Sequence, residues 1–320
     1  MIFIDIKEKG KLFNILKEQL KNLFKEGDKV AVKLHMGEPP NPYHLKADMV
    51  KKIISILKKL KLKPFLFDSI VIYPGGRDTV EKYKETTRKN GFYEKNIGCP
   101  VIISDDYIEV KTENLNVQVC KPLAEATALL VLSHVKGHMC SGFGGAIKNL
   151  GMGGVTKKTK ADIHGLAEPV FKGECKGCGV CVECCPVEAI KLENKKAVFN
   201  YSKCWGCGVC ILNCKNNVLK PKKAMFDALL AEGAYAVIKN KRKQFYLNFL
   251  QDITKLCDCC SDPEGIVLED IGMVLSKNIV EADKTSFDLI NKKAGKDLFL
   301  EIHKKSPLLH IKEMEKLIKC

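Results

Sequence analysis

The chain reads as an α/β protein with a mostly parallel sheet, interrupted by a small cysteine-rich α+β unit. Two observations predict this. Short apolar runs alternate with amphipathic helical stretches over residues 1–167 and again over 219–320. That is the pattern of a sheet covered by helices. Between them, residues 168–218 are rich in Cys and Gly and repeat one spacing twice. The last third alone has too few strands to bury a sheet. The island is therefore expected to sit inside one core domain rather than between two.

The elements follow in order. Met1–Ile6 reads as a strand; it has neither the basic start nor the apolar run of a leader peptide. Gly10–Lys25 reads as an amphipathic helix and Lys29–Met36 as a strand. Leu45–Leu60 is a second helix, with Met49, Val50, Ile53, Ile54 and Leu57 at helical spacing. Pro64–Ile72 is a strand, followed by the turn Pro74-Gly75-Gly76 and a helix through Lys89. Strands follow at Val101–Ser104 and Ala128–Ser133. After the island come a helix at Lys223–Val237, strands at Gln244–Ile253 and Gly272–Ser276, and a helix over Asn278–Lys293 ending near Gly295.

Composition narrows the class. Of 320 residues, 46% are hydrophobic and 28% charged, which is globular composition. The apolar run Ala128–Ser133 is far too short to span a bilayer, so no membrane role is expected. Sixteen cysteines in a chain this long point to a reducing cytoplasm and metal chemistry rather than a disulfide framework. The formal charge is +15, from 53 basic and 38 acidic residues. Its first reading is a solvated lysine surface. Its second is attraction for an acidic electron carrier or an anionic small-molecule substrate. A nucleic-acid role has no helix-turn-helix or aromatic-basic pattern behind it.

Eight of the cysteines carry the strongest signal. Cys175, Cys178, Cys181 and Cys185 leave gaps of two, two and three residues, and so do Cys204, Cys207, Cys210 and Cys214. This spacing wraps a cubane [4Fe–4S] cluster, with the fourth cysteine crossing to the other cluster of a pair. Cys175, Cys178, Cys181 and Cys214 are thus assigned to one cluster, and Cys204, Cys207, Cys210 and Cys185 to the second. Gly177, Gly179, Gly206 and Gly208 let the backbone fold close around them, and Pro186 suits the start of the following turn. Cys184 reads as a packing residue, because using it would change the three-residue gap. Zinc is the weaker alternative: it favours separated pairs of cysteines, often with histidine. The island is accordingly expected to be a bacterial-type ferredoxin unit.

A second constellation lies at the predicted strand ends, where open α/β sheets bind ligands. It comprises His35 and Glu38, then His134, Lys136, His138 and Cys140, then Cys257, Cys259 and Cys260. The last three, with Cys140, His134 or His138, are a candidate third metal or cluster site; plain thiols are the alternative. His35 and Glu38 are a candidate acid–base pair. The stretch Gly142–Gly154 is glycine-rich. Its free N–H groups at Gly142, Gly144 and Gly145, with Lys148, are a candidate anion or cofactor cradle. It matches neither phosphate-loop nor dinucleotide fingerprints, which leaves a flavin open. His44, His164, His303 and His310 carry no functional expectation; Cys99, Cys120 and Cys320 read as packing or surface thiols.

The stretches Val30–Glu38, Ser133–Gly153, the two cysteine runs and Asp252–Asp283 together resemble the iron–sulfur-centre proteins of the domain-of-unknown-function family numbered 362. The resemblance implies an α/β core with an inserted ferredoxin and a redox role, as in anaerobes. It implies no particular reaction. The leading functional expectation is an iron–sulfur oxidoreductase, in which two clusters relay electrons to the Cys/His site. The rivals are a metallocluster carrier or assembly factor, and a redox-sensing binding protein.

Overall fold

A computed structural model describes residues 1–319; Cys320 lies outside the described residues. The core is a seven-stranded sheet: β1 (Ile2–Asp5), β2 (Lys29–Lys33), β3 (Lys63–Asp68), β4 (Val101–Ile103), β5 (Ala128–His134), β6 (Gln244–Leu250) and β7 (Gly272–Ser276). Across the sheet the order is β1-β7-β6-β5-β2-β3-β4. The pairs β6–β5, β5–β2, β2–β3 and β3–β4 are parallel; β1–β7 and β6–β7 are antiparallel. Strands from before and after the cysteine island therefore share one sheet, with β6 directly against β5.

The central strands are apolar on both faces because both are covered. β5 is buried from end to end. Alternate residues go to opposite layers, the period of an extended strand. Val30, Val32, Leu66, Leu130, Leu132, Phe245 and Leu247 join α1 (Leu12–Lys21) and α2 (Ala47–Lys59) in one layer. Ala31, Phe65, Phe67, Leu129, Val131 and Tyr246 join the other layer. There they meet α4 (Ala146–Gly153), α6 (Phe226–Ile238), α7 (Ile279–Ala294) and α8 (Leu308–Lys319). Two further helices lie nearer the site: α3 (Val80–Lys89) and α5 (Lys157–Leu166).

Several boundaries shift from the sequence reading for local reasons. The expected helix from Gly10 begins as a 3-10 turn over Ile6–Lys11, where Asp5 accepts from the Lys7 N–H, and α1 starts only at Leu12. β3 ends at Asp68 rather than Ile72, because the Asp68 carboxylate turns the chain by accepting from Ser69 N–H (2.9 Å). β6 stops at Leu250, two residues before Asp252 adopts a positive φ of 47°. The Asn278 cap and the left-handed Gly295 bound α7 as the sequence suggests. The hairpin Tyr107–Lys111/Asn116–Cys120 and α8 have no counterpart in the sequence reading.

α8 brings in a buried titratable group. His310 is fully buried and stacks on Phe143, ring centroids 5.5 Å apart. Burial, then Lys305, pushes its pKa down from 6.5 to about 3. Between those values the unfolded chain binds a proton that the folded chain refuses, so stability falls as pH falls. His310→Phe is expected to gain about 2 kcal/mol relative to the native protein on going from pH 7 to pH 5. Urea unfolding at the two pH values checks this; an unchanged difference would count against it.

The cysteine island leaves and re-enters the core at one place. Pro169–Phe171 pairs antiparallel with Leu219–Pro221. Between them lie a second hairpin, Ile190–Glu193 with Lys196–Phe199, and two short helical turns, Val180–Glu183 and Val209–Leu212. Its own small core is Cys181, Ile190, Ala197, Cys210 and Leu219.

Candidate functional site

The order of the sheet places the site. From β2 the chain moves outward through β3 to β4, whereas from β5 it moves the other way to β6. Such a reversal opens a crevice at the carboxyl ends of the adjoining strands. A cleft of about 550 Å³ lies there, lined by Lys33 and His35 at the end of β2, Asp68 and Ser69 at the end of β3, and Ser133 and His134 of β5. Its far walls are Cys257–Cys260 and, from the island, Ser202, Cys204 and Trp205. The second constellation and one cysteine run thus face a common space.

One wall is organised by Arg77, which is 1% exposed. Its guanidinium pairs with Glu38 (2.5 Å) and donates to His35 Nε2 (2.6 Å) and Tyr73 Oη (2.6 Å). Burial, then the Arg77 charge, drives the His35 pKa well below its ordinary value. The two residues expected as an acid–base pair are thus joined through Arg77. His35 and Glu38 each bond Arg77 rather than each other, and His35 Nε2 has no proton to give.

A buried network holds the Cys257–Cys260 loop to β5. Asp258 Oδ2 accepts from Lys136 Nζ (2.7 Å), and Asp258 Oδ1 lies 2.8 Å from His134 Nδ1. Burial raises the Asp258 carboxyl, but His134 and Lys136 outweigh it and hold its pKa well below the usual range. His134 Nε2 faces the Gln251 carbonyl (2.7 Å). Both ring nitrogens are therefore engaged, and His134 cannot also ligate a metal. Asn41 Nδ2 donates to the Cys260 carbonyl (2.9 Å), pinning the loop from the β2 side.

Cys257, Cys259 and Cys260 bring their sulfurs within 4.8 Å of one another. The Cys257 and Cys259 sulfurs are bonded to each other. Among the described residues, Cys140, His134 and His138 are not part of this donor group. The candidate metal set is thus the three loop cysteines in reduced form, not the wider set expected. Cys140 lines the cleft but is 2% exposed, and burial pushes its thiol far up. His138 also lines the cleft; its Nδ1 meets Ser141 (2.9 Å) and its Nε2 makes no hydrogen bond among the described residues.

The glycine-rich loop departs from expectation. The first N–H groups of α4, on Ala146 and Ile147, donate to the buried Asp283 carboxylate (2.7 and 2.9 Å). A Cβ on Gly145 would sit 2.4 Å from Asp283 Oδ1, which is why glycine stands there. The helix terminus is filled by the protein's own anion, so it offers no free cradle to a ligand. Gly142 packs against the Lys305 carbonyl, where a Cβ would stand 2.7 Å away. Gly144, Gly145 and Lys148 still line the cleft.

The two cysteine runs repeat one local geometry. Gly177 N–H donates to Cys175 Sγ and Gly206 N–H to Cys204 Sγ, both at 3.4 Å. Gly177 and Gly206 have φ of 65° and 61°. A Cβ at either would lie 2.3 or 2.2 Å from a carbonyl oxygen, of Lys195 or His164. Cys175, Cys178, Cys181 and Cys214 line one small cavity. The second run is seated on the core: the Trp205 carbonyl is bonded by His164 Nδ1 (2.8 Å), and buried Lys305 donates to the Cys207 and Cys140 carbonyls.

The sequence model described as Domain of unknown function (DUF362) matches residues 30–288. The chain belongs to this family. The DUF362 match spans the cleft walls and both cysteine runs. No curated protein matches the chain. Among solved structures, a Thermotoga maritima protein shows 12% identity and a TM-score of 0.48, covering 98% of this chain and 61% of its own. The lactate racemase apoprotein from Thermoanaerobacterium thermosaccharolyticum shows 13% identity and a TM-score of 0.43, covering 87% of this chain and 55% of its own. The DUF362 chain thus spans less than two thirds of either protein. Among the described residues no helix is long and apolar enough to cross a membrane.

Sequence reasoning passed over Arg77, Asp258, Lys160 and Lys305. A signal existed for Arg77: it is one of three arginines among 53 basic residues, directly after Pro74-Gly75-Gly76. A lysine-rich chain that uses arginine at a turn has a reason for the planar fork. Lys160 and Lys305 have no such local mark.

Proposed function

We propose that this DUF362 protein is an iron–sulfur redox protein whose cleft is the place of chemistry. Cys175, Cys178, Cys181 and Cys214 would hold one [4Fe–4S] cluster, and Cys204, Cys207, Cys210 and Cys185 the other. When bound, such clusters supply one-electron transfer. The residues fit that group. The donors are thiols in the right number, the flanking N–H groups point at sulfur, and the crosswise set of four lines a common cavity. Segment 168–218 is then a ferredoxin-like insertion with its own core and adjoining ends.

The observation that carries the reading further is the position of Cys204 and Trp205 in the wall of the cleft. A cysteine of the second run and the Cys257–Cys260 loop border one space, so no long gap separates electron carrier from substrate site. The chain's own groups then bind and orient the substrate. Lys148 supplies positive charge, His138 presents a neutral ring nitrogen, and Tyr73 and Trp205 provide aromatic surface. The net charge of +15 suits an acidic electron carrier as donor.

Metal and acid-labile sulfide analysis of anaerobically purified protein tests this. Two cubane clusters predict about eight irons per chain. Cys175→Ser and Cys204→Ser are each expected to lose about four. A native protein with no iron or sulfide sinks the proposal. The Cys257/Cys259/Cys260→Ser variant is expected to keep all eight. Extra iron, zinc or nickel lost only in that variant would reveal a third centre at the loop.

A further inference from the structure

We infer that the cleft takes an organic dianion: an apolar body with a carboxylate- or phosphate-type group at each of two ends, one held at Lys148 and the other at Lys160. This deepens the reading above. It rests on the cleft being the substrate site, not on the clusters.

The charges that line the cleft do not balance. Five cations face it: Lys33, Arg77, Lys136, Lys148 and Lys160. Three have a carboxylate at ion-pair distance: Lys33 with Asp68 (3.1 Å), Arg77 with Glu38 (2.5 Å) and Lys136 with Asp258 (2.7 Å). Among the described residues Lys148 and Lys160 have none. Lys160, 5% exposed, donates only to the neutral Ser69 Oγ (2.7 Å) and Val155 carbonyl (2.8 Å). Lys148 Nζ makes no hydrogen bond among the described residues, and its stem lies along Gly144 in the cleft wall. Lysines are almost never buried without a partner. Lys160 is buried in that way, and Lys148, half-buried in the wall of the same cleft, also has no carboxylate among the described residues, which leaves their counter-charge to a ligand.

The two amines stand at different ends. Lys148 lies in the first turn of α4 with its stem along Gly144, and the charges acting most on it are Lys136, Asp258 and Arg77, at the Cys257–Cys260 side. Lys160 stands at the β3 side, where its Nζ donates to Ser69 Oγ directly after that strand and to the Val155 carbonyl, with Asp68 acting on it from the strand's last position. Burial draws both pKa values down to about 8, so each amine is relieved when an anion arrives. The rest of the lining includes Val71, Ile72, Leu132, Met139, Met152 and Leu256. The volume, about 550 Å³, is that of a small-molecule site. Asp283 already fills the N-terminus of α4, so the lysines are what the cleft offers to negative charge.

Isothermal titration calorimetry tests this with adipate, suberate and sebacate, against octanoate and 1,8-octanediol, at low salt. The best-fitting dicarboxylate is expected to bind at least about ten-fold tighter than octanoate, with the diol weakest. Lys148→Met and Lys160→Met are each expected to abolish that preference. Neither leaves a carboxylate unpaired, so both variants are expected to melt no lower than the native protein. Equal affinity for dicarboxylate and octanoate overturns the assignment, and so does either variant that keeps the preference. Iron content is measured on the same samples. About eight irons without a dianion preference overturns the ligand alone; a dianion preference without iron keeps it and overturns the cluster reading.

Discussion

Lys305→Met is expected to cost about 3–5 kcal/mol of stability and to loosen the cysteine-rich segment from the core. Lys305 is fully buried, and its Nζ lies 2.8 Å from Asp227 Oδ2. The same amine donates to the Cys140 carbonyl (2.6 Å) and the Cys207 carbonyl, joining the cleft wall to the second cysteine run. Methionine matches the stem but leaves Asp227 as a buried carboxylate facing no cation, and frees two carbonyls. Removing one partner of a buried pair costs far more than removing both. The double variant Lys305→Met/Asp227→Leu is therefore expected to recover most of the loss. Urea unfolding of the three proteins reads the energies, and limited proteolysis within 168–218 reads the loosening. If the single variant unfolds with the native protein, the bridge has no energetic role.

Asp258→Ala is expected to be as severe, at about 3–5 kcal/mol, and to free the Cys257–Cys260 loop. Among the described residues Asp258 alone pairs with Lys136, and it also meets His134; both partners are buried. Without it Lys136 becomes an uncompensated buried charge, joining Lys148 and Lys160 in one cleft. The pH dependence carries a signature. The folded pKa of Asp258 lies well below 3.8, so its stabilisation is complete above the unfolded value and is lost as pH falls through the folded one. The native protein should lose stability below about pH 4, and the variant should lack that part of the slope. Hydrogen exchange over residues 252–262 is expected to quicken in the variant. Unchanged exchange there would show the loop is held by other contacts.

The features legible in the chain were those written within one turn or one strand. The Asn278 cap and Gly295 stop bound α7 because each acts on N–H or C=O groups a few residues away. β5 stood out as an unbroken apolar run because it is covered on both faces. The hairpin at 107–120 did not: its first strand, Tyr107–Lys111, is largely exposed and has no apolar alternation to read. α8 was missed although its buried residues His310, Ile311 and Met314 recur at helical spacing.

At the site, the strand-end segments were found because ligand crevices lie at the carboxyl ends of parallel strands. Their hydrogen-bond partners were not legible, because distant residues supply them. His35 is claimed by Arg77, 42 positions away, and His134 by Asp258, 124 positions away. The glycine loop looked open until Asp283, 137 positions from Ala146, was seen to occupy it.

Sequence alone thus determined the cysteine spacing, the alternation of strands and helices, and the family, all of which are short-range patterns set by backbone geometry and ligand reach. Tertiary structure decided which polar groups neutralise one another, because a buried charge is satisfied by whatever the fold brings within 3 Å or so, at any separation along the chain. By that rule Arg77, Asp258, Asp283 and Lys305 are taken up by the protein itself. Among the described residues Lys148 and Lys160 are left facing the cleft without a carboxylate of their own.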